Sequence, residues 1–433
     1  MKIAVIGLWH LGSVTSACLA SLDFTVIAFD DDKELISNYF KDILPIYEPG
    51  LKELTVAAKD KGTLEYATDI SQIAVADVVW VTYDTPVNDN DEADTAYVKD
   101  RIVNLFPYIK EGAVLLVSSQ MPVGSIDWIR RAYENSFGEN KIHFAYSPEN
   151  LRLGNAISVF MNPDRIVVGV SSEEAKQRLS SVLSVITKNI LWMSVASAEM
   201  TKHAINAFLA TSVVFINEIA SLCEQVGADA SEVEQGLKTE QRIGPKSYLK
   251  PGSAFAGGTL ARDLAYLVKK NTELNIPAGF FQSIINSNSH HRDWAKNTIQ
   301  RICSDLSGKN VCVLGLTYKP GTDTLRRSQS VELCKWLSAS KANINAYDPV
   351  VKSLPSELDT IINLFSIPDQ ALRNADLIVV STEWPQFSDI NFEEIIHSGK
   401  AMVVDANGFL RKTFENNTQI SYYRIGKVYE TKK

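Results

Sequence analysis

Residues 1–14 read MKIAVIGLWHLGSV. A short β-branched strand runs into Gly7-Leu8-Trp9-His10-Leu11-Gly12 and then into a helix. This is the position of a dinucleotide fingerprint, G-x-G-x-x-G, with tryptophan at the middle glycine. In that motif the first glycine makes the tight turn and the second lets the backbone approach a pyrophosphate. The third lets helix and strand pack closely. Gly7 and Gly12 keep the first and third roles. Trp9 still offers a backbone N–H, and its side chain can turn outward over the site, with His10 and Leu11 completing the turn. Asp30 ends the second strand about twenty residues on, where an acid accepts from ribose hydroxyls and disfavours a 2′-phosphate. The stretch therefore points to NAD as cofactor. A βαβ unit without any cofactor uses the same turn, and on these residues alone both readings stand.

Outward from that turn, strand-like and helix-like segments alternate. Strands are expected at 2–7, 24–29, 77–82, 113–118, 142–146 and 165–170, with amphipathic stretches such as Val98–Leu105 and Ser125–Glu134 between them. Nearly all-apolar strands in this alternation imply a parallel sheet covered on both faces. From about Ala196 the pattern becomes one long helix ending at Gly227, without proline or internal glycine. A glycine-rich loop, Gly252–Gly258, and helical sequence to about Leu306 follow. A second, smaller α/β unit starts at Asn310, with strands in NVCVLG, NINAYDP, DLIVVST and AMVVD. The expected fold class is α/β: a Rossmann domain over 1–195, a central long-helix domain over 196–307 and a second Rossmann-like domain over 308–433.

The chain has 433 residues, 45% apolar and 22% charged, with a formal net charge of −8. Such a balance is that of a globular protein and argues against a nucleic-acid partner. Cys18, Cys223, Cys303, Cys312 and Cys334 are scattered, with no C-x-x-C and no histidine cluster, so no metal site is expected and the thiols read as reduced. The early first strand leaves no room for a signal peptide, and no apolar run is expected to span a membrane. A cytoplasmic setting follows as the expectation.

Several stretches, in order and spacing, resemble the UDP-glucose/GDP-mannose dehydrogenase family. They are LPIYEPGLKEL (44–54), DTPVNDNDEADTAYV (84–98), MPVGS (121–125), YSPENLRLG (146–154) and NPDRIVVG (162–169). Further on come AEMTKHAINAFLA (198–210), RIGPKSYLKPGSAFAGGTLARD (242–263), LGLTYKPGTDTLRRS (314–328) and NAYDP (345–349). The resemblance implies an N-terminal NAD domain, a central helix that makes a homodimer, and a C-terminal UDP-binding domain. It also implies oxidation of a nucleotide-sugar alcohol, at C6 by family default, with a UDP-sugar as substrate and no nucleic-acid or membrane partner.

Family members normally oxidise that alcohol twice. The second oxidation uses a cysteine, which adds to the aldehyde and yields a thioester that water cleaves; a thiol suits this because it ionises near neutral pH. In the matching run Ala254–Asp263 the cysteine position holds Thr259, so the thioester route is not available there. The resemblance places Lys202 and Asn206 at the oxyanion and water, and Asp263 and Glu149 as base candidates. It adds Thr85, Pro86, Gln120 and Arg327 to the cofactor contacts. For the substrate it implies Glu149, Asn150, Leu151, Phe255 and Gly257, with Arg242, Lys246, Tyr248, Lys319 and Arg326 around the nucleotide. By spacing alone, Lys202 and Asn206 share a helix face that would equally suit solvent, Asp263 would suit a helix cap, and the cations an exposed loop. Trp9, Asp84, Gln120, Asn150, Leu153, Arg262 and Arg327 depart from the family together with Thr259, a concerted set that reads as natural divergence. Two functions result: a dehydrogenase making one two-electron oxidation or redox-neutral chemistry, or a catalytically dead relative that binds NAD or a UDP-sugar for regulation.

Overall fold

Strand β1 (Lys2–Ile6) lies inside an eight-stranded sheet because Ile3 to Ile6 are wholly buried on both of its faces. The other strands are β2 (Thr25–Phe29), β3 (Leu64–Tyr66), β4 (Val78–Val81), β5 (Val114–Val117), β6 (His143–Tyr146), β7 (Ile166–Val170) and β8 (Ile190–Met193). Their order is β3-β2-β1-β4-β5-β6-β7-β8. This computed structural model describes residues 1–88, 93–256, 258–393, 401–417 and 419–427. The chain divides into two units, 1–205 and 206–433.

The expectation of a parallel sheet needs one correction in the first unit. Strand β7 runs antiparallel to β6, pairing Ala145 with Val170 and Tyr146 with Gly169. The helix between them, Ala156–Met161, packs beside Val14 and Cys18 of the first helix (His10–Ser21) instead of crossing over a sheet face. Without that crossover the chain returns in the opposite sense.

A single helix, Val195–Val226, joins the units; residues 195–205 belong to the first and 206–226 to the second. By length and composition it is long and apolar enough to cross a membrane, which corrects the expectation that no such run exists. Glu199, Lys202, His203 and Asn206 are each hydrogen-bonded within their own unit, as in a core helix of a folded domain.

The second unit adds helices Ala230–Thr239, Thr259–Glu273, Phe280–Arg292 and Trp294–Ile302. Its sheet has six parallel strands: β9 (Asn310–Leu314), β10 (Asn343–Tyr347), β11 (Ile362–Phe365), β12 (Leu377–Val380), β13 (Met402–Asp405) and β14 (Ser421–Tyr423). Their order, β11-β10-β9-β12-β13-β14, repeats the order of the first six strands of the chain. Both are the doubly wound 3-2-1-4-5-6 arrangement.

Just after β14, Arg424 is buried and donates to Asp229 at 2.6 Å and to Glu415 at 3.0 Å. Burial by itself would raise the Glu415 carboxyl, but hydrogen bonds from Arg411, Lys427 and Arg424 overcome it and hold the group at about 2. Because that value is depressed, the stabilisation is complete above the ordinary carboxylate range and is lost as pH falls toward about 2. We expect Glu415→Gln to lower the thermal midpoint at neutral pH and to flatten its decline below pH 4.5. Calorimetry across that pH interval checks it.

Candidate functional site

The turn after β1 is built for close approach. Gly7 has φ +91°, and a Cβ there would stand 2.6 Å from the Tyr83 ring and 2.8 Å from the Tyr83 amide nitrogen. A Cβ on Gly12 would overlap the Gly7 carbonyl oxygen and come within 2.8 Å of Thr82 Oγ1. These two glycines are therefore required by space, whereas Trp9 is not at a glycine-specific position, since its φ is −73°. The first helix has no side-chain cap at Trp9, so the positive end of the helix is left for an anion. Asp30 accepts from the Leu8 N–H at 2.6 Å and the Asp32 N–H at 2.9 Å. Burial raises its carboxyl, and these two N–H groups pull it back.

A cleft of about 480 Å³ opens here, lined among others by Gly7, Trp9, Asp30, Tyr83, Pro86 and Arg101. The predicted cofactor residues Gly7, Trp9, Asp30 and Pro86 thus come together. Thr85 instead donates to the Gln120 carbonyl at 2.7 Å, Leu11 is buried beside the turn, and Arg327 lies in the second unit with φ +62°. His10 bonds to Glu48 at 3.0 Å.

Glu48, within the 44–54 stretch but given no role there, is a hub. Its carboxylate also accepts from the Gly154 and Ala156 N–H groups at 2.9 and 2.8 Å, tying the fingerprint helix to the segment that carries Glu149. Burial opposes its ionised form, and these bonds outweigh burial to keep the carboxyl below its ordinary value. Glu48→Gln removes an acceptor from charge-assisted bonds and is expected to cost about 2 kcal/mol. The denaturant midpoint of the purified protein measures it.

The start of the long helix supplies the remaining polar groups of the first unit. Lys202, 6% exposed, donates to the Glu149 carbonyl at 2.6 Å and lies 3.7 Å from its carboxylate. The other Glu149 oxygen accepts from the Leu151 N–H at 2.9 Å, while Asn150 is exposed. Lys202 is therefore not on a solvated face. Glu199 and His203, missed by sequence reasoning, hold the loop after β5. Glu199 accepts from the Gly124 and Ile126 N–H groups at 2.7 and 3.0 Å, and His203 Nε2 bonds to the Met121 carbonyl at 3.2 Å. Burial pushes the Glu199 carboxyl up. The available signal was Gly124, a helix-capping position with no polar side chain of its own.

In the second unit Asn206 donates to the Asp263 carboxylate, and both are buried, so Asp263 is not a solvent-facing cap. Thr259 is the exposed first residue of the helix Thr259–Glu273, one turn before Asp263. The loop leading to it is held by side chains from distant segments. Asn217 accepts from the Gly252 N–H, Asn407 from the Ser253 N–H and Asn288 from the Phe255 N–H, at 3.0, 2.6 and 3.0 Å. Gln329 donates to the Ala254 carbonyl and Asn288 to the Phe255 carbonyl, at 3.0 and 2.9 Å. His291 bonds to the Gly252 carbonyl at 3.0 Å.

Arg242 is exposed and paired with Glu240 at 2.9 Å, and Lys246 and Tyr248 are exposed. Lys319 Nζ lies 5.5 Å from the Tyr318 ring, and Arg326 is exposed. Gly257 and residues 89–92 of the 84–98 motif lie outside the described residues.

The turn after β9 resembles the one after β1 but is closed. Gly315 has φ +89°, and a Cβ there would meet Thr382, as one on Gly7 meets Tyr83. Asp348 takes the place of Asp30, accepting from the Leu316 N–H at 2.8 Å, yet it also accepts from Thr317, Val350, Val351 and the Trp384 ring and is 2% exposed. It has no oxygen left for a ribose, and Pro320 stands where Gly12 would be.

Residues 1–187 match the NAD binding domain of the UDP-glucose/GDP-mannose dehydrogenase family, 196–290 its central domain and 312–412 its UDP binding domain. The chain belongs to this family. A UDP-glucose 6-dehydrogenase of Rickettsia typhi is 32% identical over 440 residues, covering 98% of this chain and 99% of that one. One of Rhizobium meliloti is 31% identical, covering 99% and 100%. A solved UDP-glucose dehydrogenase of Pyrobaculum islandicum superposes with a TM-score of 0.85 at 25% identity, covering 99% of this chain and 98% of that one. As a member, the chain is an NAD-dependent oxidoreductase acting on the alcohol of a nucleotide sugar. The glycine turn, the open helix end and Asp30 fit that cofactor.

Proposed function

We propose that this dehydrogenase oxidises one alcohol of a UDP-sugar, C6 by family default, and stops after a single two-electron step. Thr259 carries the proposal. It opens the helix at the position where the family keeps its cysteine, and a threonine hydroxyl does not ionise near neutral pH. Burial suppresses three of the chain's own thiols, pushing those of Cys18 and Cys334 up to about 12 and raising Cys312 further, and the partly exposed Cys303 ends the helix Trp294–Ile302, outside the Ala254–Asp263 run. Cys223 is buried in the long helix.

Bound at the Gly7–Gly12 turn, NAD supplies the hydride acceptor. Glu149 takes the hydroxyl proton of the substrate, while Lys202, shielded from water, stabilises the alkoxide that forms. Asn206 orients Asp263, whose part in the reaction is to hold water. Lys319 and Arg326, with Lys246 and Tyr248, bind the nucleotide; Arg242 reaches the site of a second copy. The homodimer forms through the long helix, whose exposed Phe208, Phe215 and Leu222 recur every seventh residue. The cell compartment is the cytoplasm, in keeping with five free cysteines.

A catalytically dead, regulatory relative is the second reading, favoured by Thr259 and Trp9 together. The buried Lys202 and the buried Asn206–Asp263 pair speak against it, since buried polar and charged groups are costly to keep without use. Incubation with UDP-glucose and other UDP-sugars, with hydroxylamine present to trap a carbonyl product, separates the two. A trapped oxime with one NADH formed per sugar is expected. A uronic acid as product would refute the single step, and tight UDP-sugar binding without any turnover would favour the regulatory reading.

A further inference from the structure

We propose that Trp9 is a cofactor-retaining residue: its indole covers the bound dinucleotide and slows its release. The proposal rests on the NAD assignment of the first unit and adds a role for the one fingerprint position that departs from glycine. With φ −73°, residue 9 has no conformational need for glycine, so the side chain present there is free to act on the ligand. Its neighbours Leu8 and Leu11 are buried, at 0% and 8% exposure, while Trp9 is 48% exposed at the mouth of the cleft. A large aromatic ring left in water at a cleft wall gains area only when a ligand arrives.

The electrostatics of the cleft give that gain a purpose. Asp30, Asp31, Asp32 and Asp84 line it, against Arg101 as the one cation among the lining residues. Arg101 is itself engaged, 3.2 Å from Asp31 and stacked 3.7 Å over the Tyr97 ring. Charge therefore holds a pyrophosphate weakly here, beyond what the helix end offers. Trp9, Tyr83, Tyr97 and Pro86 supply apolar and stacking contact in its place.

Stopped-flow displacement of NADH from the full-length protein, with Trp9→Gly and Trp9→Phe, tests the proposal. Release from Trp9→Gly is expected to be about tenfold faster, with Trp9→Phe intermediate. Energy transfer from indole to bound NADH should fall in both variants. Trp9→Gly that binds NADH and releases it at the wild-type rate would overturn the proposal while leaving the cofactor assignment intact. Failure of the unmodified protein to bind NADH would overturn both.

Discussion

Gly12→Ala is expected to cost on the order of 4 kcal/mol and to abolish NADH binding. The added methyl overlaps the Gly7 carbonyl oxygen and crowds Thr82 Oγ1, both fixed by the sheet. The Thr82 hydroxyl donates to the Ile6 and Gly7 carbonyls at 2.9 and 2.7 Å, so it cannot swing away without losing both bonds. No rotamer change relieves a clash with backbone, and the first helix must lift from β1. Lifting it moves the helix end away from the turn that binds the dinucleotide. Chemical denaturation and NADH fluorescence titration read the two effects separately. A stable variant with wild-type affinity would show that helix and strand can part here without consequence.

Thr259→Cys is expected to raise the yield from one toward two NADH per sugar and to turn the carbonyl product into an acid. Residue 259 is the first of a 15-residue helix, where the helix dipole favours a thiolate. That thiolate can add to the aldehyde carbon, giving a tetrahedral thiohemiacetal whose carbon-bound hydrogen can leave as hydride to a second NAD. The resulting thioester is cleaved by water, which restores the thiol and yields the acid. Iodoacetamide should also label the variant at one site more than the unmodified protein, in which Cys303 is the partly exposed thiol and Cys18, Cys223, Cys312 and Cys334 are buried. Absorbance at the NADH band against chromatographic loss of the UDP-sugar gives the ratio. Two NADH per sugar from the unmodified protein would mean that position 259 does not limit the reaction.

The strands readable from sequence are those inside the sheets. Runs such as Val114–Val117 and Leu377–Val380 are apolar at every position because helices or loops cover both faces. The strands that sequence did not disclose, β3, β8, β11 and β14, are the four sheet edges. They are three or four residues long with half-exposed patterns, so neither length nor periodicity marks them. The antiparallel sense of β7 was equally invisible, because pairing direction leaves no trace in hydrophobic period. At the candidate site, the Gly7–Gly12–Asp30 spacing was legible since one local unit sets it. Glu48 and the residues that hold the 252–256 loop were not, because their partners lie between 33 and 154 residues away.

The holding of that loop bears on how this chain diverged. Asn217, Asn288, His291, Gln329 and Asn407 fix its backbone, and none of those bonds uses the side chain at 259. The architecture therefore leaves position 259 under no folding constraint from the loop. The residue at 259 can therefore change from thiol to hydroxyl without disturbing these loop contacts. In this part of the scaffold the residues that hold the loop and the residue proposed to set the chemistry are separate, so either can vary without the other.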